Sequence, residues 1–476
     1  MSTPTSEHEH DAAPDPDSDR ADDTDIDTDT CVEPDADTPD ETEAHPDVNY
    51  LHDAAEELLV DLVSIPSPSG EEREAAERLA AFFRAHGRDV WLDGVGNVHA
   101  PADDAVLLTS HVDTVPGDIP IGIRETEPGY GDGDAGTGTG TDPDDEATDG
   151  EGDGDDEHDA ERPALWGRGS VDATGALAAM AAVAVETGVS FLGVVGEEVD
   201  SRGALHVLEN GRREPGAVVN GEPSGWDGIT LGYRGLLAGT YVATSESGHT
   251  SRPENNAIQD AMDWWSRAEA EFEPDEWTPV FERVTCKPVD VEGGLTEDGL
   301  SMEATMDVQF RVPPSLTIDE VRERADGQLN GGTVSWYDRV PPVMTSPRTE
   351  VARAFRVAIR DNGGDPRLLR KTGTADMNLF AREWDCPIVS YGPGDSDLDH
   401  APNEHLPLDE YHRSVDVLVD VCETLRGDRG ESTRARADGG TVVGSRGGTD
   451  ADAGAASDAD AGPAGGEDAD AGGDAA

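Results

Sequence analysis

The sequence of 476 residues contains 104 acidic and 34 basic residues, which gives a formal net charge of −70 at pH 7. A chain this acidic is unsuited to bind nucleic acid or an anionic membrane, because both need cationic patches on the protein. Only Lys287 and Lys371 are lysines; the other basic residues are arginines. This composition resembles that of cytoplasmic proteins adapted to molar salt, where the Debye length is about 3 Å. An ordinary acidic protein with disordered tails is the alternative.

Three acidic segments contain too few large apolar side chains to form a core, and we expect them to be disordered. Residues 1–46 and 427–476 would be tails, and residues 126–162 a long surface loop. The remaining sequence, about 340 residues, is long enough to bury a sizeable core. The four cysteines lie far apart with no CxxC spacing, and no apolar run approaches membrane-spanning length. These features predict a cytoplasmic protein.

The first elements in chain order are two amphipathic helices, at about 49–64 and 70–86. Short strand-like runs follow, and a helix of small residues, "TGALAAMAAVAVETG", comes after the acidic loop. Strands that alternate with helices predict an α/β fold, with a mixed, mostly parallel sheet covered by helices.

The pattern changes after about residue 227. The segments "GITLGYRGLLAGTYVATS" and "LSMEATMDVQFRVP" alternate apolar and polar residues, as half-buried antiparallel strands do. Each is followed by a helix-like segment, which indicates an α+β unit at 228–343. Residues 344–426 return to the α/β pattern. We therefore predict one larger domain, 47–227 and 344–426, with a smaller domain inserted at 228–343.

Polar residues follow several predicted strands. His111 and Asp113 in "SHVDTVPG" are two apart, so one could bind a metal while the other orients it, although a surface pair is the simpler explanation. Asp172 precedes a helix and could be an N-cap. In "GEEVDSRG", Glu197 and Glu198 end an apolar run, where strand alternation would point them to opposite faces.

Taken together, these positions favour a metal site. His, Asp and Glu residues at successive strand ends of one sheet supply the nitrogen and oxygen donors of a hydrolytic zinc pair. Ligand sites in open α/β sheets lie at the carboxyl ends of the strands, as these residues do. Glu222 in "NGEPS" and His400 in "DHAPNEHL" belong to the same pattern.

The motifs "SHVDTVPG", "GRGSVDATG", "GEEVDSRG", "NGEPS", "SGHTSRPENNAI" and "YGPGDSDLDHAPNEHL" resemble those of one family. It is the dinuclear zinc amidohydrolase family of acetylornithine deacetylase, succinyl-diaminopimelate desuccinylase, aminoacylase and glutamate carboxypeptidase. The resemblance covers about residues 47–426 and implies a dimerisation (lid) domain at the insertion. It also implies two zinc ions per subunit, with cobalt as a substitute, and a homodimer or higher homo-oligomer.

The resemblance implies a role for each ligand. His111 and Glu222 would bind one zinc, Glu198 and His400 the second, and Asp172 would bridge both. Asp113 would orient His111. Glu197 would be the general base, and His405 a structural residue.

The resemblance also extends to the substrate. His249 would reach the active site of a partner subunit and stabilise the developing oxyanion. The remaining substrate-binding residues would be Arg311, Asn256, Gly373, Thr374 and Asp376.

Within the family, "SHVDTVPG", "GRGSVDATG" and "GTADMNLF" resemble the branch that releases lysine or ornithine from the amino-group carrier protein LysW. A LysW-type carrier would then be the substrate. Other enzymes of the family, acting on acetylornithine, succinyl-diaminopimelate or dipeptides, are the nearest alternative. A catalytically inactive binding protein is a further alternative.

Overall fold

The computed structural model describes residues 46–126 and 162–427, other than 250, 252 and 275. The predicted tails and acidic loop lie outside the described residues, apart from their end positions. The helices of the described residues are numbered in chain order. They are α1 Pro46–Val63, α2 Arg73–Ala85, α3 Thr174–Thr187, α4 Arg202–Glu209, α5 Ala257–Phe272, α6 Ile318–Asp326, α7 Glu350–Asp361, α8 Asp376–Glu383 and α9 Leu408–Arg426.

The strands are numbered in the same way. They are β1 Trp91–Leu92, β2 Val98–Ala100, β3 Asp103–His111, β4 Gly122–Glu125, β5 Pro163–Trp166, β6 Val189–Val194, β7 Val218–Gly221, β8 Gly228–Tyr233, β9 Gly235–Glu246, β10 Thr285–Leu295, β11 Ser301–Val312, β12 Thr333–Val340, β13 Val343–Met344, β14 Arg367–Lys371, β15 Ile388–Ser390 and β16 His405–Pro407.

A nine-stranded mixed sheet forms the centre of the fold. Its order is β1-β2-β6-β3-β7-β15-β8-β13, and β14 pairs in parallel with β8. The four strands β6, β3, β7 and β15 are parallel neighbours, whereas β1, β2 and β13 pair antiparallel at the two ends. A small three-stranded sheet has the order β16-β5-β4. Its strands β4 and β5 directly precede and follow the acidic segment in the sequence.

Both faces of the central sheet are buried. Val106 and Leu108 of β3 pack into the core formed with α1, α2, α3, α7 and α9, whereas Leu107 between them packs into the core formed with α4 and α8. Strands with two buried faces read as continuous apolar runs, which explains sequences such as "AVLLTS". The predicted α/β fold with helix-covered sheet is confirmed.

A second, four-stranded antiparallel sheet has the order β10-β11-β9-β12. Helices α5 and α6 cover it, and Trp264 of α5 stacks on Tyr241 of β9 with ring centroids 4.8 Å apart. This is the α+β unit expected from the alternating pattern. The domain boundaries themselves stay a prediction.

The run that begins at Gly228 contributes to two sheets, because β8 pairs in the nine-stranded sheet and only β9 enters the four-stranded sheet. The chain changes sheets at Gly235, where an added Cβ would lie 2.6 Å from the carbonyl oxygen of Val340. Two chain segments therefore cross closely here, and a side chain at this position would separate them.

Candidate active site

Three adjacent parallel strands, β6, β3 and β7, end at the same edge of the nine-stranded sheet. His111 is the last residue of β3, and Glu222 directly follows β7. Glu197 and Glu198 follow the end of β6. Because the carboxyl ends of parallel strands meet at one edge, the fold brings these side chains together.

Asp172, which precedes α3, lies between two imidazole rings. Its Oδ1 is 3.1 Å from His111 Nε2, and its Oδ2 is 3.2 Å from His400 Nε2. His400 Nε2 is also 3.1 Å from Glu198 Oε2. Ligand atoms of His111, Asp172 and Glu198 lie within 4.8 Å of one another. A carboxylate between two histidines is the arrangement that a pair of bridged metal ions requires.

The carboxylates of this cluster fit cations. Burial raises the pKa of Glu198 to about 7 and that of Glu222 to about 8, and the charge of Asp172 adds to both increases. Glu198 Oε1 is buried and has no hydrogen-bond partner among the described residues. Divalent cations would offset the crowded negative charge and ligate this oxygen. The mixture of imidazole and carboxylate donors suits zinc-type ions.

Glu197 lines the same cavity, and burial together with the charge of Glu222 raises its pKa well above the usual range. The expectation that Glu197 and Glu198 alternate along a strand is wrong. Strand β6 ends at Val194, Gly196 has a φ of 78°, and both glutamates lie in the following turn. The turn, and not strand alternation, gives the two side chains different directions.

Asp113 fixes this turn. Its Oδ1 accepts hydrogen bonds from the main-chain amides of Gly196 at 2.8 Å and Glu197 at 3.1 Å, and its Oδ2 accepts from the Glu198 amide at 3.2 Å. The Ser69 hydroxyl donates a further hydrogen bond to Oδ2 at 2.7 Å. The His111 ring instead meets the Asp113 main-chain oxygen, 2.8 Å from Nδ1. Asp113 thus contacts the ring through its backbone and the glutamate turn through its carboxylate.

Sequence reasoning assigned no role to Glu404 and Arg168. Buried Glu404 accepts hydrogen bonds from the amides of Val171 at 2.9 Å and Asp172 at 3.1 Å. Arg168 Nη1 donates to its other oxygen at 2.8 Å. The pair therefore fixes the backbone that carries Asp172. A signal was available, because both charged residues stand inside the motifs "GRGS" and "NEHL".

The two histidines of "DHAPNEHL" lie in different places. His400 lines the cavity, and its ring faces Asp172. Its backbone is in the left-handed region, with a φ of 61°. His405 stacks on Trp166 across β16 and β5, with ring centroids 4.3 Å apart and Nδ1 2.8 Å from the Asn403 main-chain oxygen. This position agrees with the structural role expected for His405.

The cavity beside the cluster has a volume of about 380 Å³. Gly373 and Thr374 line it, and Arg311 of β11 donates from Nη1 to Thr374 Oγ1 at 3.3 Å. Asp376 is buried at the start of α8, where burial raises its pKa to about 7. The remaining walls are the strand-end carboxylates together with Pro223, Tyr233, Arg370, Lys371, Thr372, Ser396, Asp397, Asp399 and His400.

Four expected substrate residues are not among those that line this cavity: Arg311, Asp376, Asn256 and His249. Arg311 reaches it through Thr374, whereas the last two are engaged elsewhere. Asn256 is the N-cap of α5, where its side chain accepts from the Gln259 amide at 3.0 Å in a reciprocal capping box. His249 is exposed after β9 and lies 2.8 Å from Ser251 Oγ through Nδ1. Neither is among the residues that line the cavity of this single chain.

Among the described residues, none of the helices is long and apolar enough to span a membrane.

Solved structures share the fold. The M20 family metallo-carboxypeptidase Sso-CP2 from Sulfolobus solfataricus aligns with a TM-score of 0.59 and 19% identity, covering 78% of this chain and 99% of that one. The aminopeptidase PepT from Bacillus cereus aligns with a TM-score of 0.56 and 19% identity, covering 79% of this chain and 99% of that one.

Curated relatives match over nearly their whole length. The "[LysW]-lysine hydrolase" of Deinococcus radiodurans is 36% identical, over 79% of this chain and 98% of the relative. The "[LysW]-lysine/[LysW]-ornithine hydrolase" of Sulfurisphaera tokodaii is 27% identical, over 78% and 95%. With the strand-end cluster, these relatives define a metal-dependent hydrolase of amide bonds. The chain belongs to peptidase family M20/M25/M40, which matches residues 143–424.

Proposed function

We propose that the protein releases lysine, ornithine or both from a LysW-type amino-group carrier protein, as a step of lysine and arginine biosynthesis in the cytoplasm. The observation that carries the reaction is Asp172 between His111 and His400, beside the two glutamates of the β6 turn. The choice of substrate rests on the relatives, whose lengths this chain covers at 98% and 95%.

Two zinc ions per subunit suit the donor types, and cobalt would substitute for them. In the proposed assignment, His111 and Glu222 ligate one ion, and Glu198 and His400 ligate the other. Asp172 would be the ligand that the two ions share. The support for this assignment is the contact of each Asp172 oxygen with a different histidine.

Bound metal ions would polarise the amide carbonyl and make water acidic enough to lose a proton near neutral pH. Glu197, whose carboxyl group lines the cavity, would accept that proton. After the water oxygen has bonded to the carbonyl carbon, Glu197 would donate the proton to the amine nitrogen as the C–N bond breaks, which releases the carboxylate and the free amine. Asp113 contributes by holding the amide of Glu197, which sets the position of the base.

Arg311, Gly373, Thr374 and Asp376 are proposed to bind the substrate, and Gly373 and Thr374 line the cavity. The hydrogen bond from Arg311 to Thr374 supports this, because it joins the four-stranded sheet to the cavity rim. An arginine here could bind a substrate carboxylate in a bidentate pair. Asn256 completes the set that the family resemblance implies, although its side chain caps α5.

We further propose a homodimer formed through the four-stranded sheet, in which His249 stabilises the oxyanion in the partner's site. Strand β10 is an edge strand of that sheet, with Val289, Val291 and Leu295 exposed. Exposed apolar residues on an unpaired edge favour pairing with another chain.

The test is to incubate the zinc-loaded protein in high salt with carrier-linked lysine, carrier-linked ornithine and N-acetylornithine. High salt is used because a net charge of −70 would repel an acidic carrier in dilute buffer. We expect free lysine or ornithine to be released from the carrier. Cleavage of N-acetylornithine alone would overturn the proposal and favour an acetylornithine deacetylase. No cleavage of any amide by protein with two bound metals would favour a non-catalytic binding protein.

A further inference from the structure

Lys371 is the last residue of β14 and lines the same cavity as the candidate metal ligands. Its main chain is fixed on both sides. The residue pairs with Tyr233 of β8, and its carbonyl oxygen accepts a hydrogen bond from the Arg234 amide at 3.3 Å. Arg234 Nε also donates to the Thr372 carbonyl oxygen at 2.9 Å. The sheet therefore presents the Lys371 side chain from a rigid position.

Among the described residues, the ammonium group of Lys371 forms no close ion pair, unlike its neighbour Arg370; its charge acts on Asp399 from beyond 4.0 Å. Arg370 pairs with Glu282, at 3.2 Å from Nη1 to Oε1, and its guanidinium lies 5.2 Å from the centroid of the Phe281 ring. Among the described residues, Lys371 forms no ion pair within 4.0 Å and no side-chain hydrogen bond. Arg370 is thus used by the protein, whereas Lys371 is available to a ligand.

Asp399 lines the same cavity and interacts electrostatically with Lys371, but the two charged groups are more than 4.0 Å apart, so the ammonium group is still able to bind a ligand. Asp172, Glu198 and Glu222 are the proposed metal ligands, and Glu197 is the proposed base. Two divalent cations would offset these four negative charges. A half-buried ammonium without a close anionic partner is costly to desolvate, so a ligand that supplies the anion is stabilised by it.

A lysine at position 371 is unusual in this chain, where nearly all basic residues are arginines. Only 2 of the 34 basic residues are lysines, and the other, Lys287, is exposed on β10. Arginine has a wide planar head, whereas lysine places a compact charge at the end of a slender chain. A lysine in a cavity of about 380 Å³ leaves more room for the substrate.

We propose that Lys371 binds a carboxylate group of the substrate and thereby selects amides of amino acids over amides of simple amines. The identity of the substrate as a carrier-linked amino acid rests on the proposed function. Two carboxylates of such a substrate are candidates. One is on the leaving amino acid, and the other is on the C-terminal glutamyl group that the family resemblance implies for the carrier.

The presence of only two lysines allows a direct test. Reductive methylation with ¹³C-formaldehyde keeps the charge and labels Lys371, Lys287 and the chain's terminal amine. Variants Lys371→Arg and Lys287→Arg assign the resonances in the zinc-loaded full-length protein. We expect L-lysine to shift the Lys371 resonance saturably and cadaverine, which lacks the carboxylate, to leave it in place. The Lys287 resonance should not move with either ligand.

A second pair of ligands separates the two sources of the carboxylate. L-glutamate has the α-carboxylate of the glutamyl group, and 4-aminobutanoate lacks it. A shift with lysine only assigns the leaving amino acid, and a shift with glutamate only assigns the carrier side. A Lys371 resonance that none of these ligands moves, or that cadaverine moves as much as lysine, overturns the proposal and leaves Lys371 a wall residue near Asp399.

Kinetics provide a second readout. Lys371→Met should lower kcat/KM for N-acetylornithine by about 10- to 100-fold, the usual effect of losing a charge-assisted hydrogen bond. Its effect on N-acetylputrescine should stay within about twofold, and the matched control Lys287→Met should change neither. Equal losses on both substrates would contradict carboxylate recognition. Failure of carrier cleavage, by contrast, would refute the proposed function and leave the resonance test intact.

Discussion

At the residue scale, the site depends on one turn that points two adjacent carboxylates in different directions. Glu197 and Glu198 share a turn, yet only Glu198 contacts His400. Asp113 accepts hydrogen bonds from the amides of both glutamates and of Gly196, so it sets both directions at once. The proposed base and the proposed ligand are therefore positioned by a third carboxylate.

We expect Glu197→Gln to lower kcat by about 10²- to 10⁴-fold while two metal ions stay bound, because the amide cannot shuttle a proton. Metal content by elemental analysis and kcat on the best substrate are the measurements. Glu198→Gln is the matched control and should lose metal. Two bound metals in Glu198→Gln, together with metal loss in Glu197→Gln, would show that the roles are reversed.

The family motifs were sufficient to predict which side chains gather, because His111, Asp172, Glu198 and His400 contact one another. They did not predict Glu404, whose importance lies in hydrogen bonds to main-chain amides. Such bonds depend on how a distant loop folds back, and neither spacing nor periodicity in the sequence encodes this. The strand assignment of Glu197 failed for a local reason, the positive φ of Gly196.

At the scale of elements, the small-residue helix α3 packs tightly on the sheet and against α9. The alanines of α3 explain this packing, since small side chains permit close approach. In the run from Gly228, the alternation of apolar and polar residues continues through the change of sheet at Gly235, so the sequence does not show that β8 and β9 belong to different sheets. Periodicity reports which face of a strand is buried, but not which sheet buries it.

Gly175 in the first turn of α3 gives a test of this packing. An added Cβ would lie 2.5 Å from the Ser170 carbonyl oxygen and 2.8 Å from Leu406 Cδ2. Gly175→Ala should lower the free energy of unfolding by about 1–3 kcal/mol through overpacking, although alanine favours helix. Denaturant unfolding measures this. Gly294→Ala, where nothing lies within 4 Å, is the control and should be near neutral. Equal stabilities of the two variants would disprove the close contact.

Asn256 tests whether an N-cap also contacts substrate. Asn256→Ala removes the capping bond to the Gln259 amide and should lower the free energy of unfolding by about 1 kcal/mol. Asn256→Ser should restore the cap, because serine is also a good N-cap. If capping is its only role, kcat/KM recovers with stability in Asn256→Ser. A persistent loss of kcat/KM in the stable serine variant would support substrate contact.

At the scale of the whole molecule, stability depends on the buried carboxylates that lie close together where the proposed cations bind. Metal removal should therefore change how stability depends on pH. The folded pKa values of Glu198, about 7, and Glu222, about 8, exceed the ordinary value of 4.5. The folded state then binds more protons than the unfolded state, so this contribution is present below about pH 4.5 and is lost as pH rises to about 8.

We expect the chelated protein to have a lower Tm at about pH 8.5 than at about pH 5.5. Zinc should shrink or reverse that difference, because protons compete with metal for the same carboxylates. Scanning calorimetry with chelator and with zinc is the measurement. The chelated double variant Glu198→Gln/Glu222→Gln is the control for charge elsewhere on the chain. A pH dependence that is unchanged in the double variant would show that these two carboxyls are not its source.

The hydrogen bonds of Asp113 and Glu404 bear on the order in which the site is assembled. The Asp113 carboxylate accepts hydrogen bonds from the amides of Glu197 and Glu198, and the Glu404 carboxylate accepts one from the amide of Asp172. Both sets of bonds are formed within the polypeptide and need no ion. Folding therefore positions the ligands before the metal binds. Chelated protein should regain activity at the rate of ion binding, without a slow refolding step.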